Sequence, residues 1–256
     1  MSISIITRAY RSSELKNLIE NLNSCREIVK EVIAVCNIED YNVENIKLII
    51  EDSNRFQARI TGIKHANFEK VLLLDSDQIP EKGLLEELDK REEDMLIIPE
   101  KSLDNNFTSK CLDDWRARNE RLASKKITPY IPVVPRFYAK KYLLSAINKL
   151  SLEMYRIIDH EDSIIYYYAF QETKNINFSK KYIYNDTPKF LKLMYKAFLY
   201  GKNRKNISNL QIPGDIAILL NKLNKNTFNI KELGLGRGYI IQIMRGLAYE
   251  FGKIFS

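Results

Sequence analysis

The sequence predicts an α/β protein whose mostly parallel central sheet is flanked by helices and followed by a C-terminal helical extension. Short β-branched segments alternate with helix-like segments over the first hundred residues, a pattern typical of parallel strands joined by crossover helices. After residue 180 the chain becomes basic, and its apolar residues recur at helical spacing. Such spacing is typical of amphipathic helices.

The individual elements follow from local patterns. The predicted strands comprise residues 3–7, 31–36, 46–50, 71–74, 95–98 and 133–138. The predicted helices start with an N-cap at Ser13, cover residues 55–66, begin again near Pro80, and continue at residues 112–126, 140–150 and from 160 onward. Ser13 suits an N-cap because its hydroxyl can accept a backbone amide, and Pro80 suits the first turn of a helix.

The formal charge of +7 is unevenly distributed. Residues 179–256 carry fourteen Lys and Arg against four Asp and Glu, whereas residues 1–178 carry twenty-six against twenty-nine. The hydrophobic content of 45% is normal for a folded protein and argues against disorder. Because the basic excess lies in the last third alone, the composition disfavours a nucleic-acid partner and favours a basic C-terminal surface.

Residue counts indicate a cytoplasmic protein. The three cysteines have no Cys-x-x-Cys spacing, and two histidines are too few for a histidine-rich metal site, so no disulfide scaffold is expected. The N-terminus has no charged leader before a long apolar run, and no apolar stretch reaches about 18 residues, so neither a signal peptide nor a transmembrane helix is predicted.

The strongest local signal is Asp75-Ser76-Asp77, directly after the apolar strand at residues 71–74. Open α/β sheets bind ligands at the carboxyl ends of their strands. Two carboxylates split by one small residue there could hold Mg²⁺ or Mn²⁺ together with a diphosphate. The alternative is an ordinary turn in which one of the two carboxylates caps the next helix.

Further segments occur in a recognisable order around this strand. Residues 58–66 read Ala-Arg-Ile-Thr-Gly-Ile-Lys-His-Ala, Arg136 begins a later strand-and-helix segment, and Glu161-Asp162 opens another helix. In this order they resemble the family 2 glycosyltransferases, whose members carry Ala-Arg-Asn-x-Gly-Ile-x-x-Ala just before an Asp-x-Asp strand. The resemblance covers about residues 1–202.

This resemblance implies the GT-A fold over residues 1–185, with a nucleotide-sugar half at about 1–99 and an acceptor half at about 100–185. Residues 186–256 would form a basic amphipathic helical extension. The implied activity is a metal-dependent, inverting transfer of a sugar from a nucleotide-sugar donor to a glycan or polyprenyl-linked acceptor.

The resemblance also implies roles for particular residues. Asp77 and Asp75 would hold Mn²⁺ or Mg²⁺ and contact the donor. Thr7, Asn37 and Arg59 would also contact the nucleotide sugar, although the helix position of Arg59 allows either a phosphate contact or a salt bridge. Asp162 would be the catalytic base, with Glu161 as the substitute.

Two further residues are weaker acceptor candidates. Trp115 lies in a stretch that interrupts the strand-helix rhythm, where it could stack on an acceptor sugar or cap the core. His160 could tune the neighbouring acidic pair or could simply be solvent-exposed. Without the resemblance, Glu161 and Asp162 would be explained as acidic residues favoured at the N-terminus of a helix.

Three departures from the family pattern keep other functions open. Ile60 replaces an asparagine, the second strand ends in Cys36-Asn37 where an aspartate usually contacts the nucleobase, and Asn185 stands where a histidine often completes the metal shell. A catalytically inactive glycan- or membrane-binding relative is one alternative. A phosphatase similar to the haloacid dehalogenases is another, because Leu-Leu-Leu-Asp-Ser-Asp resembles the first motif of that family.

The basic extension favours contact with an anionic membrane. Its last helix carries an apolar stripe whose members are Ile240, Ile243, Met244, Leu247, Phe251 and Ile254. Amphipathic helices with basic residues either pack on a domain or lie at a membrane interface. We expect a peripheral protein on the cytoplasmic face of the membrane, which would suit a lipid-linked acceptor.

Overall fold

The computed structural model describes residues 2–9, 12–22, 27–36, 46–157, 159–208, 210–227 and 237–255. The chain forms two compact units, each assembled from several segments. The first unit comprises Met1–Pro99, Pro135–Lys149 and Tyr168–Asn185, and the second comprises Glu100–Val134, Leu150–Tyr167 and Asp186–Ser256. Residues 186–256 fall in the second unit together with two segments between residues 100 and 167, and the predicted acceptor half at 100–185 is shared between the units. The domain bounds of 1–185 and 186–256 stay predictions.

The elements of the described residues are numbered in chain order. The strands are β1 Ile3–Arg8, β2 Val29–Cys36, β3 Ile46–Ile50, β4 Lys70–Leu73, β5 Gln78–Pro80, β6 Met95–Ile97, β7 Glu100–Ser102, β8 Phe137–Ala139, β9 Ile176–Phe178 and β10 Ile183–Asn185. The α-helices are α1 Ser12–Leu22, α2 Arg55–His65, α3 Leu84–Lys90, α4 Phe107–Lys125, α5 Lys140–Asn148, α6 Glu161–Glu172, α7 Phe190–Ser208, α8 Gly214–Thr227 and α9 Arg237–Ile254. A 3-10 helix spans Leu152–Arg156.

A sheet forms the centre of the first unit, with the strand order β3-β2-β1-β4-β8-β6-β9 among the described residues. Strands β1 to β4 pair in parallel, as do β6 and β9, whereas β8 runs antiparallel to both of its neighbours. The predicted mostly parallel sheet flanked by helices is therefore confirmed. Strands β8 and β9 come from the predicted acceptor half, which explains why that half is divided between the units.

The core of the first unit contains the apolar residues whose spacing predicted its helices. Leu15, Leu18 and Leu22 of α1 and Leu84, Leu85 and Leu88 of α3 are buried in one cluster with the central strands. Strands covered on both faces are apolar along most of their length, as in the nearly continuous buried run of β1 and β4.

Two predicted helix starts are wrong. Pro80 ends the short strand β5, which pairs antiparallel with β10, and does not open the next helix. Proline is tolerated at such a short, marginal strand because it can lack one ladder hydrogen bond there. Helix α3 follows Gly83 instead, whose φ of +85° lies in the left-handed region that glycine adopts readily. Ser13 lies within α1, which begins at Ser12.

Helices α4, α7 and α9 pack together in the second unit. Their shared apolar cluster contains Cys111, Leu112, Leu193 and Ile241. Helices α7 and α9 meet at two glycines: a Cβ on Gly201 would lie 1.9 Å from the Tyr249 carbonyl oxygen, and one on Gly252 would lie 2.0 Å from the Phe198 carbonyl oxygen. Only a residue without a Cβ permits backbones to approach this closely.

The apolar stripe predicted on the last helix, here named the α9 stripe, is exposed. Its six members, from Ile240 to Ile254, have exposed fractions between 36% and 70%. The buried residues of this helix are Gly238, Ile241, Gln242, Tyr249 and Gly252, which fall on the opposite face at about 100° per residue. Among the described residues, no helix combines the length and the apolar character needed to cross a bilayer.

Candidate functional site

Asp75 lies just beyond the carboxyl end of β4, the strand between β1 and β8 in the sheet. The amide of Leu74 donates to the Ile6 carbonyl at 3.0 Å, so β4 stays beside β1 up to this point. The Asp75 side chain is 27% exposed, and Asp77, two residues on, is exposed. Both carboxylates therefore lie at the sheet edge where open α/β folds bind ligands.

Arg59 reaches Asp75 from helix α2. Its Nη2 atom donates to Oδ1 of Asp75 at 2.7 Å, and the arginine side chain is only 5% exposed. The helix starts with a capping box, in which the side chains of Asn54 and Gln57 each accept the backbone amide of the other. Of the two contacts left open for Arg59 by its position in the sequence, the structure shows the ion pair.

Close packing of α2 against β1 positions this arginine. A Cβ on Gly62, one helical turn after Arg59, would lie 2.3 Å from Cγ2 of Ile6. Ile60, which replaces the asparagine of the family pattern, is 4% exposed and contributes to the core. Glycine at position 62 thus lets the helix sit close enough to the sheet for Arg59 to reach the end of β4.

Arg136 is a second cation beside the carboxylate, and the sequence pattern did not assign it to the site. Its Nη2 atom lies 3.9 Å from Oδ2 of Asp75. Burial by itself would raise the pKa of this carboxyl, but the guanidinium groups of Arg59, Arg136 and Arg55 oppose burial more strongly, so the pKa of Asp75 lies well below its usual range. Asp75 is therefore ionised at neutral pH and surrounded by positive charge.

Gln78 links the carboxylate turn to strand β10 and was also not assigned. Its Oε1 atom accepts the Asp75 amide at 2.9 Å, and its Nε2 atom donates to Oδ1 of Asn185 at 2.8 Å. The pairing of β5 with β10 places Asn185 directly opposite Gln78. Asn185 therefore lies beside the turn, and its amide oxygen accepts a hydrogen bond from Gln78.

Thr7 lies near the carboxyl end of β1, next to the end of β4. The residue is 2% exposed, and its hydroxyl has no hydrogen-bond partner among the described residues. A buried hydroxyl without a partner is unfavourable for the fold alone. Its position at the ligand-binding edge of the sheet is consistent with the predicted contact to a nucleotide sugar.

The predicted acidic pair opens helix α6, and its two members differ in exposure. Glu161 is 1% exposed, whereas Asp162 is only partly buried. His160 precedes them, and its carbonyl accepts the Ile164 amide at 3.0 Å. Asp162 is therefore the member of the pair that a substrate could reach.

His160 adopts an unusual backbone conformation. Its φ is +58°, which costs a non-glycine residue about 1–3 kcal/mol and often occurs at functional sites. Its Nε2 atom lies 3.1 Å from Oδ1 of Asn224. Burial raises the pKa of the adjacent Asp159 carboxyl; His160 and Arg204 oppose this shift, and Glu161 adds to it. The predicted neighbour of the acidic pair thus belongs to a partly buried polar cluster.

Trp115 lies in helix α4, which includes nearly all of the helix predicted at residues 112–126 and begins earlier, at Phe107. Helix α4 begins at Phe107 because the Asn106 side chain caps it by accepting the Ser109 amide. The indole Nε1 atom donates to the Thr227 carbonyl at 3.3 Å, and the Arg245 guanidinium lies 5.3 Å from the ring centre. These contacts favour a packing role over the acceptor stacking that was the alternative.

The residues predicted for the site are divided between the two units. Asn37, predicted to contact the nucleobase, lies outside the described residues. Thr7, Arg59, Asp75 and Asp77 belong to the first unit, and Trp115, His160, Glu161 and Asp162 to the second. In the part of the chain that the structure describes, no three His, Cys, Asp or Glu side chains form a group that could hold a metal ion. The catalytic and binding roles of these residues stay predictions.

Solved structures with a similar fold include those of S. aureus TarS. The crystal structure of TarS 1-349 is 18% identical, with a TM-score of 0.57, over 91% of this chain and 74% of that chain. The complex of TarS 1-349 with UDP-GlcNAc is 19% identical, with a TM-score of 0.53, over 88% of this chain and 71% of that chain. A longer TarS structure, 16% identical with a TM-score of 0.57, covers 90% of this chain, which spans 44% of the TarS chain.

At these identities the likeness establishes the fold. The GT-A fold predicted for this chain is therefore confirmed. No family model matches the chain, and no curated protein matches it.

Proposed function

We propose that this protein is a glycosyltransferase that moves a sugar from a nucleotide-sugar donor to a hydroxyl of its acceptor. The observation that carries the proposal is the Asp75-Ser76-Asp77 turn, held by Arg59 at the carboxyl end of a central strand in a fold shared with TarS. TarS structures with UDP and with UDP-GlcNAc make UDP-sugars the first donors to test.

The arginines suit a diphosphate. Arg59 and Arg136 are largely buried beside a single carboxylate, and Arg55 adds to the positive potential there. Guanidinium groups in such a position attract phosphate oxygens strongly because little water screens them. The ionised Asp75 can at the same time accept hydrogen bonds from sugar hydroxyls, since its pKa is held low.

The same turn suits a divalent ion shared with the donor. Mg²⁺ is typically bound by one or two carboxylates together with substrate phosphates and water. The exposed Asp77 carboxylate offers such a ligand, while the ion pair with Arg59 favours a positioning role for Asp75. Mg²⁺ or Mn²⁺ bound there would neutralise the charge that develops on the departing diphosphate.

Asp162 is proposed as the base of an inverting reaction. The acceptor hydroxyl must lose its proton as it attacks the anomeric carbon, and a carboxylate within hydrogen-bond reach accelerates this transfer about 10²–10⁴-fold. Asp162 is more exposed than Glu161, which supports Asp162 as the base and Glu161 as the substitute. A glycan or a polyprenyl-linked sugar would serve as the acceptor.

The phosphatase alternative receives less support. A haloacid dehalogenase uses the first aspartate of its motif as a nucleophile on the first strand, whereas Asp75 follows the fourth strand of this chain. Its Oδ1 atom also accepts a 2.7 Å hydrogen bond from Arg59, which lowers the nucleophilicity of the carboxylate. The other alternative, a catalytically inactive glycan- or membrane-binding protein, would be favoured if no donor is turned over.

The test is a screen of nucleotide sugars for binding and for hydrolysis or transfer, with Mn²⁺, with Mg²⁺ and with a chelator. We expect turnover of one donor with metal and a loss of at least 100-fold in Asp77→Asn, a size typical for removing one electrostatic contact to the leaving group. Asp104→Asn is the matched control, because this aspartate is exposed on the surface of the second unit. Failure of every donor to bind with metal present would refute the proposal.

We also propose that the second unit contacts an anionic membrane through the α9 stripe. Six exposed apolar side chains along one face of a helix are unusual unless they meet another apolar phase. Helix α7 of the same unit exposes Leu191 and Tyr195 together with Lys192 and Lys196. Apolar residues flanked by lysines are the composition that binds anionic lipid surfaces.

Vesicle binding tests this surface. We expect the full chain to sediment with vesicles containing phosphatidylglycerol more than with phosphatidylcholine alone. A Leu247→Gln, Phe251→Gln variant should lose about tenfold or more of this binding, because two apolar side chains no longer enter the lipid. Leu152→Gln is the matched control, since Leu152 is 79% exposed but lies in the 3-10 helix. Equal binding by the double variant and the control would remove the membrane role.

A further inference from the structure

The second unit contains a cavity that none of the roles above uses. It has a volume of about 830 Å³ and is lined by helices α7, α8 and α9 and by the loop between α7 and α8. This volume falls within the range of about 300–1,000 Å³ that is usual for small-molecule sites. All of its lining residues belong to the second unit.

One part of the cavity wall is basic. Arg204, Lys225 and Lys253 line it together with a single acidic residue, Glu250. Glu250 is already paired with Lys253, whose Nζ atom lies 2.6 Å from its carboxylate. Arg204 and Lys225 are thus the cationic side chains of the wall other than the lysine paired with Glu250, and they give this part of the cavity its basic character.

Arg204 is held in place with part of its donor capacity unused. Its Nη2 atom donates to Oδ1 of Asn221 at 2.6 Å, while its buried Nη1 atom has no hydrogen-bond partner among the described residues. Arg204 also lies close enough to the buried Asp159 carboxyl for their charges to interact, so a ligand is favoured only by the unused Nη1 donor and by Lys225 in the cavity wall. A buried donor without a partner favours a ligand that accepts from it.

Another part of the wall is aliphatic. Ile207, Leu210, Ile212 and Ala217 contribute only hydrocarbon side chains to the cavity. Helix α9 extends this apolar character outward, because Glu250, which lines the cavity, is neighboured on the helix surface by Leu247 and Ile254 of the α9 stripe. A ligand that carries both an anionic group and an apolar chain would satisfy both parts of the wall.

We propose that this cavity binds the phosphate end of an amphiphile whose hydrocarbon chain continues along the α9 stripe. The phosphate accepts hydrogen bonds from the Arg204 guanidinium and is neutralised by Lys225, and the first part of the chain contacts the aliphatic wall. The site requires neither the donor chemistry of the first unit nor a metal ion. It assigns to the second unit a specific ligand in addition to a general attraction to lipid surfaces.

Binding of three probes to the full chain tests the proposal by isothermal titration calorimetry without nucleotide sugar or metal. The probes are farnesyl phosphate below its critical micelle concentration, farnesol, and inorganic phosphate. We expect farnesyl phosphate to bind at least tenfold more tightly than either of the others. Equal affinity of farnesol would show that the basic wall is not used, and equal affinity of inorganic phosphate would show a simple anion site; either result overturns the proposal.

Variants locate the binding. Arg204→Gln and Lys225→Gln should each weaken farnesyl phosphate binding about tenfold, and Ala217→Phe should weaken it at least as much, because the added ring occupies space beside the aliphatic wall. Lys225 is exposed, so its substitution keeps the test valid if Arg204→Gln perturbs folding. Lys125→Gln on an exposed position of α4 is the matched control and should bind normally, because Lys125 does not line the cavity and has no role in the proposed lipid surface. Unchanged binding in both Lys225→Gln and Ala217→Phe would place the ligand elsewhere and refute the site.

The design separates this proposal from the glycosyltransferase proposal. Asp77→Asn should bind farnesyl phosphate as tightly as the wild type, because Asp77 belongs to the first unit. If the protein binds the amphiphile but turns over no donor, the cavity proposal is retained and the glycosyltransferase proposal fails. If it turns over a donor but does not bind the amphiphile, the glycosyltransferase proposal is retained and the cavity proposal fails.

Discussion

The Arg59 guanidinium donates a 2.7 Å hydrogen bond to the Asp75 carboxylate, joining helix α2 to the carboxyl end of strand β4. Arg136 approaches the other oxygen of the same carboxylate from the start of β8. Asp75 is thus fixed by two elements before any ligand binds. A carboxylate fixed in this way needs little reorganisation to receive a substrate.

The ion pair of Asp75 should make an Asp75→Asn variant less stable in a pH-dependent manner. The pKa of Asp75 is lowered in the folded state, so its contribution to stability is complete above the unfolded-state pKa of about 3.9 and is lost as the pH falls toward the folded-state value. At pH 7 we expect the free energy of unfolding to fall by about 1–3 kcal/mol, because buried donors lose their charged acceptor.

Urea denaturation at pH 7 and pH 3 measures this effect. The difference in the free energy of unfolding between the wild type and Asp75→Asn should be smaller at pH 3. At that pH the stabilisation that the ionised Asp75 carboxyl gives the wild type begins to be lost. Asp77→Asn should change stability by less than about 0.5 kcal/mol at either pH, since this side chain is exposed. A constant difference between pH 7 and pH 3 would contradict the ion-pair explanation.

Thr7→Val should separate binding from stability. The Thr7 hydroxyl is buried without a partner among the described residues, so its removal should leave the melting temperature unchanged or raise it. If the hydroxyl contacts the nucleotide sugar, donor affinity should fall about 3- to 10-fold, corresponding to one hydrogen bond of about 0.5–1.5 kcal/mol. Thermal denaturation and calorimetric titration with UDP measure the two effects, and Ser4→Ala serves as a comparison because that hydroxyl donates to Glu31 at 2.7 Å.

Asp162→Asn should reduce transfer far more than donor binding. A lost general base lowers the rate by about 10²–10⁴-fold, while the donor contacts assigned to the first unit remain. Glu161→Gln should act mainly on stability, because Glu161 is 1% exposed and a polar group in such a position is sensitive to substitution. The rate of transfer and the affinity for UDP are measured for both variants. A larger loss of rate in Glu161→Gln than in Asp162→Asn would make Glu161 the base.

Gly252→Ala should destabilise the helical unit. The added Cβ would lie 2.0 Å from the Phe198 carbonyl oxygen, so α9 must move away from α7, at a cost of about 1–3 kcal/mol for an overpacked interior. Gly214→Ala is the matched control, because a Cβ there meets no atom within 4 Å, and it should be neutral or slightly stabilising. Equal stability of the two variants in urea would contradict the close approach of α7 and α9.

The features that could be predicted from the sequence depend on local patterns. The apolar run that ends in Asp75 identified strand β4 and its turn, and the spacing of Leu15, Leu18 and Leu22 identified the buried face of α1. The motif at residues 58–66 placed Arg59 on the helix before that strand. In each case the neighbours that decide the structure are close in sequence.

The features that were missed depend on pairings between distant segments. Arg136 approaches Asp75 only because β8 inserts antiparallel between β4 and β6, and a lone arginine before an apolar strand does not reveal that order. Gln78 meets Asn185 through the pairing of two three-residue strands, which also removed Pro80 from the predicted helix. The α9 stripe was visible as a pattern, but only the buried glycines of α9 show that it faces outward.

The interleaved composition of the two units has a consequence for synthesis on the ribosome. Every segment of the first unit precedes residue 186, whereas the second unit needs residues 100–134, 150–167 and the C-terminal helices together. Chains emerge from the N-terminus, and complete units fold first. The sheet can therefore form before α7 and α9 are available to cover α4, which leaves Cys111 and Leu112 exposed. A ribosome that stalls between residues 186 and 256 would then present a nascent chain that chaperones can recognise.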